Sequence, residues 1–365
     1  MHCSDIFARA RRGERITREE GLELLRHGEL LDLADAANEI RFRKNPLQQV
    51  TFVTDTNPNY TNVCNVDCIF CAFYRHPEDD GAYTHTVDDM IAKFRDAAAA
   101  GVTTVLLQGG VNPALPFEYY VELVERTVRE VPEVHPHFFS TSEIIGMASV
   151  ARLSVPQVLR RLWEAGLRTI PGGGAEILSD RVKKKISHLK GTSADWIDVM
   201  REAHHIGYKT TATMMYGHLE RDEDIVEHLE VVRVLQDETG GFTAFIPWSF
   251  KPGNTPLEKL IPHYATPTRY LQMIALARIY LDNVQHIQAS WFSEGKKTGQ
   301  IALHFGADDF GGTLQEENVH AAAKFVNTTN TEECIQLIHD AGFAAAQRTT
   351  LYEILRVFRP SEVAA

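Results

Sequence analysis

The run SVPQVLRRLWEAGLRTIP, residues 154–171, carries the pattern that decides the fold. Ser154 is a helix-capping residue, and Val158, Leu159, Leu162 and Trp163 then recur on one helical face. Gly166 stops the helix, and Thr169-Ile170-Pro171 reads as a short strand. Helix, glycine, strand is the second half of a parallel βαβ unit. The same grammar stands upstream, where Thr86 caps a stripe of Met90, Ile91, Phe94 and Ala98 that Gly101 closes. It returns downstream after Ser193, with Trp196, Val199, Met200 and Ala203 closed by Gly207. Strand-like segments lie near Val50–Thr54, Thr103–Gln108, His137–Ser140, Thr169–Pro171, Thr210–Met214, Thr243–Ile246, Ile287–Trp291 and Ala302–His304. Eight strands joined by right-handed crossovers predict an α/β chain folded as a (β/α)8 barrel of the TIM type. Its thinnest unit is the last, where Gly295–Ile301 leaves room for only a short helix.

Residues 1–48 precede the alternation and read as a helical extension, with 49–365 forming the barrel and its C-terminal helices. Thr17-Arg18-Glu19-Glu20 is a capping box opening one helix, and Leu30–Phe42 forms another. The 365 residues are 44% hydrophobic and 24% charged, which excludes disorder and supplies a large core. No apolar run is long enough to span a membrane. The net charge of −12 disfavours nucleic acid as a partner. The arginine-rich start lacks a secretory core and carries acids among its arginines, so it fits no targeting peptide well. Five cysteines are too few for a disulfide scaffold, and their odd number points to a reducing cytoplasm.

Three of those cysteines fall within eight residues, Cys64-Asn65-Val66-Asp67-Cys68-Ile69-Phe70-Cys71. A loop of this length wraps three thiolates around one corner of a metal cluster. A four-iron cluster wants four ligands, so one iron is left open for a small molecule. Zinc lacking one ligand, or three buried thiols, are the other readings of the loop. Zinc loops usually pair CxxC with a distant second pair, which this sequence lacks. Cys3 and Cys334 read as incidental thiols.

At these residues the chain resembles the radical S-adenosylmethionine superfamily, in which CxxxCxφC, with φ aromatic, binds a 4Fe-4S cluster. Phe70 stands at the aromatic position. The segments CIFCAFYR (68–75), LQGGVNP (107–113), HFFSTSEI (137–144), IPGGGAEIL (170–178), KTTATMMYGH (209–218), GGFTAFIPWSFKPGNT (240–255), IQASW (287–291) and FGADDFGGT (305–313) extend the likeness to the futalosine and deazaflavin branch. The resemblance implies S-adenosyl-L-methionine as cofactor and a small electron donor such as flavodoxin or ferredoxin as partner. It implies cyclisation of dehypoxanthine futalosine in menaquinone biosynthesis, by hydrogen abstraction from the ribose C4′ and closure onto the benzoate. The alternatives are radical addition of the aminofutalosine synthase type and a non-enzymatic metal-binding barrel. Trp248 after Pro247, where the aminofutalosine enzymes tend to carry Leu, favours the cyclase.

Chemistry in such barrels sits at the C-terminal strand ends. The metal ligands expected there are Cys64, Cys68 and Cys71. Phe70, Tyr74, Gln108, Gly109, Gly110, Ser142 and Glu143 are expected to hold the cofactor, the glycine pair because the superfamily seats the methionine amino group there. Tyr60, Gly172, Gly173, Gly174, Tyr216, Trp248 and Trp291 are expected to meet substrate, the two tryptophans by stacking or else by filling the core. Glu176, His218 and Asp308 are the candidate catalytic bases, as each is expected to face the barrel mouth. Lys183-Lys184-Lys185 reads as a solvated helix face.

Overall fold

A computed structural model describes residues 2–261 and 263–360. The strands in chain order are β1 (Gln49–Val53), β2 (Asp55–Thr56), β3 (Thr104–Leu107), β4 (His135–Phe138), β5 (Thr169–Ile170) and β6 (Lys209–Tyr216). They continue with β7 (Phe242–Ser249), β8 (His286–Ile287), β9 (Asp309–Gly312), β10 (Ala344–Arg348) and β11 (Ile354–Phe358). The seven strands β2 to β8 pair in sequence order, all parallel, in a curled sheet. Only Thr54 separates β1 from β2, so they form one run that changes neighbours along its length. β1 pairs with β9, and a parallel bridge from Gln288 to Asp309 joins β9 to the end of β8, which closes the barrel.

Three helices form where the sequence places caps, and the helix read from Ser193 is capped one residue earlier, by Thr192. Ser154 and Gln157, Thr86 and Asp89, and Thr17 and Glu20 make reciprocal capping boxes. Each satisfies two of the donors a helix start otherwise leaves unpaired. The N-terminal helices Cys3–Arg11, Arg18–His27 and Leu30–Lys44 pack on the outer helices of the barrel, and Arg233 reaches back to the carbonyl of Ile16 at 2.8 Å.

Two strands differ from expectation. The eighth barrel strand is Asp309–Gly312, because Ala302 ends the helix Lys296–Ala302 and the chain turns through Gly306, at φ 97°, before extending. The seventh is cut to His286–Ile287, since Trp291 opens the helix Trp291–Glu294. The hairpin β10–β11 was not foreseen. β10 runs parallel to β1 on the side away from β9, and its connection to β11 carries Thr350 and Tyr352 into the barrel interior.

Candidate active site

A cavity of about 350 Å³ runs through the barrel from the cysteine loop at the C-terminal strand ends to the β10–β11 connection. The cysteine loop is held by its backbone. Cys64 N–H donates to Arg75 O at 3.0 Å, Asn65 N–H to Val111 O at 3.1 Å, and Ile69 N–H to Ile186 O at 3.0 Å. Gly110 permits this packing, because a Cβ there would lie 2.1 Å from the carbonyl oxygen of Val63 and 3.0 Å from the Cβ of Cys64. Cys64, Cys68 and Cys71 all line the cavity, whereas Cys3 and Cys334 do not.

Lys190 lies beside these thiols. Its Nζ donates to Glu176 Oε1 at 2.7 Å and sits 5.4 Å from the centre of the Phe70 ring. Burial opposes the Lys190 charge, but Glu176 and Cys68 outweigh it and hold the amine above the ordinary lysine range. Burial also opposes the Glu176 charge, yet Lys190 and Lys183 keep its carboxyl below the usual value. Glu176 Oε2 is buried without a hydrogen-bond partner, and the residue adopts φ 44°. Lys183 is buried, contrary to the solvated reading. It lies 3.8 Å from Glu176 and donates to Gly174 O at 3.0 Å, so only Lys184 and Lys185 are exposed.

The donor set fits a cluster. Among the described residues no three His, Cys, Asp or Glu side chains converge on one point as ligands of a single ion would. The three thiols instead border a cavity, with the Lys190 cation beside them to balance thiolate charge.

Gln108, Gly109, Gly110, Ser142, Phe70 and Tyr74 line the same part of the cavity. Glu143 borders it, but its carboxylate is engaged. Oε1 accepts from the Tyr60 hydroxyl at 2.7 Å and Gly109 N–H at 2.9 Å, while Oε2 accepts from the backbone and side chain of Ser140 at 2.7 and 2.6 Å. Burial raises this carboxyl against those bonds. Gly172, Gly173 and Gly174 form part of the wall, and a Cβ on Gly173 would meet Gln108 Nε2 at 2.2 Å. Trp248, half-buried, faces the cavity with its ring 5.6 Å from that of His320.

Five expected site residues lie elsewhere. Tyr60 packs beneath Gly109 and spends its hydroxyl on Glu143. Tyr216 ends β6 in the core, and Trp291 is buried with its Nε1–H on the Gly312 carbonyl at 3.0 Å. His218 turns back on its own strand, where Nδ1 accepts from Leu219 N–H at 2.8 Å and Nε2 bonds Met215 O at 3.0 Å, so neither ring nitrogen is free. Asp308 is buried outside the cavity against Arg278, with His286 at 2.6 Å and Asn45 at 2.7 Å. Burial opposes its charge, but Arg278 and His286 pull its carboxyl down to about 2.

The cavity also holds groups that sequence reasoning missed. Arg348 and Tyr352 enter from the C-terminal hairpin, His137 from β4, Asp55 from β2, and His320 from the helix Asn318–Ala322. Strand alternation from Val53 could have flagged Asp55. No local signal marks the others.

The chain matches the family model of the Radical SAM superfamily over residues 58–232 and that of the CofH/MqnC C-terminal region over residues 239–361. It is 41% identical over 364 residues to a cyclic dehypoxanthine futalosine synthase of Halalkalibacterium halodurans, spanning 100% of this chain and 98% of that protein. It is also 41% identical over 329 residues to a 5-amino-6-(D-ribitylamino)uracil--L-tyrosine 4-hydroxyphenyl transferase of Methanopyrus kandleri, spanning 88% and 89% of the two chains. An aminodeoxyfutalosine synthase of Thermus thermophilus is 37% identical over 357 residues, spanning 97% and 96%. Among solved structures, methylornithine synthase superposes with a TM-score of 0.73 at 18% identity, covering 93% of this chain and 96% of that one, which establishes a shared fold.

Proposed function

The chain belongs to the radical S-adenosylmethionine superfamily, as an enzyme that uses a 4Fe-4S cluster and S-adenosylmethionine, and from that premise we propose that it cyclises dehypoxanthine futalosine in menaquinone biosynthesis. The observation that carries this reading is the likeness to the Halalkalibacterium halodurans synthase across the whole of both chains. Trp248, facing the cavity from β7, supports it.

Cys64, Cys68 and Cys71 would hold the cluster, and Gln108, the Gly109-Gly110 turn, Ser142, Phe70 and Tyr74 would contact S-adenosylmethionine beside it. When bound, these groups supply a 5′-deoxyadenosyl radical on one-electron reduction by a small donor of the flavodoxin or ferredoxin kind. The protein's part is to place the ribose C4′ of the substrate toward the cysteine loop and its benzoate against C4′. Trp248 and the Gly172–Gly174 wall hold the benzoate, and the closed barrel keeps water from the carbon radical. Glu176 also lines the cavity, and its two lysine partners suit it to fixing charge there more than to taking a proton.

The equal identity of the Methanopyrus kandleri transferase favours a second reading, transfer of a 4-hydroxyphenyl group from L-tyrosine to the ribitylaminouracil. The Thermus thermophilus relative supports a third, aminofutalosine-type radical addition. Reconstituted protein given S-adenosylmethionine, a reductant and each substrate in turn separates them by mass spectrometry. Cyclic dehypoxanthine futalosine is the expected product. A product only with tyrosine and the ribitylaminouracil, or only with an enolpyruvyl benzoate, would overturn the cyclase reading.

A further inference from the structure

Side chains along the run from β1 through β2 alternate between the two faces of the sheet. Val53, Asp55, Asn57 and Asn59 share the inward face and line the cavity. Asp55 is buried, and its Oδ1 accepts the Leu314 N–H at 2.8 Å. Among the described residues no donor bonds Oδ2. The nearest cation is committed elsewhere, since Arg348 grips Asp309 through Nε and through Nη2, the latter at 3.0 Å. Gly312 leaves the space the carboxylate fills, because a Cβ there would lie 2.1 Å from both Asp55 oxygens.

A buried carboxylate with no ion-pair partner costs stability, and such groups concentrate where chemistry uses them. The charged and titratable groups around Asp55 are Arg348 of β10, Asp309 of β9 and Cys334 of the helix Thr331–Asp340. His137 of β4 lines the same cavity. Burial pushes the Asp55 carboxyl up to about 7, against the Leu314 N–H and Arg348. An acid with that value is well matched to proton transfer near neutral pH.

We propose that Asp55 is the base that removes the ring proton after closure onto the benzoate, a role that rests on the cyclase reading above. Attack by the C4′ radical forms a C–C bond and leaves one tetrahedral ring carbon bearing hydrogen. That C–H bond breaks, its proton passes to Asp55 Oδ2, and its electron pair rejoins the ring. The surplus electron leaves to a one-electron acceptor of the iron–sulfur class, which restores the aromatic ring.

The test follows 5′-deoxyadenosine and cyclic product together in the reconstituted holoenzyme. Asp55→Asn keeps the size of the side chain and the acceptor for Leu314. It is expected to keep forming deoxyadenosine while cyclic product falls about 10²-fold or more. Asp55→Glu should recover part of the product. In the parent enzyme, product per deoxyadenosine should rise through a near-neutral inflection that Asp55→Asn abolishes. Equal product ratios in parent and Asp55→Asn overturn the proposal, and so does a parent ratio flat from about pH 5 to 9, whether or not the variants fold. A parent that makes deoxyadenosine but no cyclic product fails the cyclase reading itself and takes this proposal with it.

Discussion

Trp248 has two neighbours to satisfy, the cavity and His320. It stands in β7 with its ring directed to the cavity, so it can stack on a bound aromatic ring, yet it also packs beside His320. Aromatic pairs contribute about 0.5–1.5 kcal/mol beyond burial, enough to shift a substrate ring toward or away from its attacking carbon. If the chain is the cyclase proposed above, Trp248→Leu is expected to lower cyclic product more than deoxyadenosine, because the radical would form before the benzoate must be in place. A variant with a lower melting temperature and an unchanged product ratio would show that Trp248 only fills space. His320 is the neighbour to watch. Its Nδ1 is buried without a partner, and burial holds the ring neutral, down to about 3. The place of His320 was not visible from the sequence, which singled out His218 among 16 histidines because it lay in a matching segment. A motif fixes where the backbone goes. It does not say that the His218 ring will fold back onto Met215 and Leu219.

The cysteine loop is the element whose geometry most depends on a single glycine. The loop and the end of β3 meet backbone to backbone, and the Gly110 contact with Val63 leaves no room for a methyl group. Gly110→Ala must move the loop by more than a few tenths of an ångström. Cluster content, read as visible absorbance per protein after reconstitution, is expected to fall well below the parent, with Cys68→Ala as the reference for full loss. Full absorbance in Gly110→Ala would show that the loop adapts. The glycine pair was legible in the sequence as a close approach, and its expected partner was the cofactor. The structure adds the protein itself as partner, with Tyr60 against Gly109 and the cysteine loop against Gly110. The capped helices were legible for a plainer reason. A capping box is satisfied within four residues, so it can be read without knowing any distant contact.

At the scale of the whole molecule, two buried carboxylates work in opposite directions with pH. Asp308 ties the end of the N-terminal helices, through Asn45, to Arg278 of the helix Pro267–Tyr280 and to His286 of β8. Its folded carboxyl, near 2, lies below the unfolded value of about 3.9. The stabilisation it contributes is thus present above about pH 4 and lost as pH falls toward about 2. Asp308→Asn leaves Arg278 buried beside a neutral amide, and a loss of about 3–5 kcal/mol is expected in urea unfolding near neutral pH. A variant as stable as the parent would show that the knot is not a net contributor. Asp55 has the reverse sign. Its folded carboxyl is raised to about 7, so between about pH 4 and 7 the folded state keeps a proton the unfolded chain has released. Stability should decline with rising pH through that window, and Asp55→Asn should flatten the decline.

The sequence by itself determined the parts whose physics is local. Helix caps, glycine stops, the apolar stripes of the outer helices and the three-thiol loop each close over a few residues, and together they specify a parallel α/β barrel with a cluster site at one end. It could not determine which polar groups reach the interior. Asp308 and Asp309 are adjacent, yet Asp308 faces Arg278 outside the cavity while Asp309 holds Arg348, a residue 39 positions along the chain. Only the closed barrel decided that pairing. It also decided that Arg348 and Tyr352 of the unforeseen hairpin enter the cavity, and that Asp55 is left there without a counter-ion. Burial and charge pairing are properties of residues brought together from far apart, and no short stretch of sequence records them.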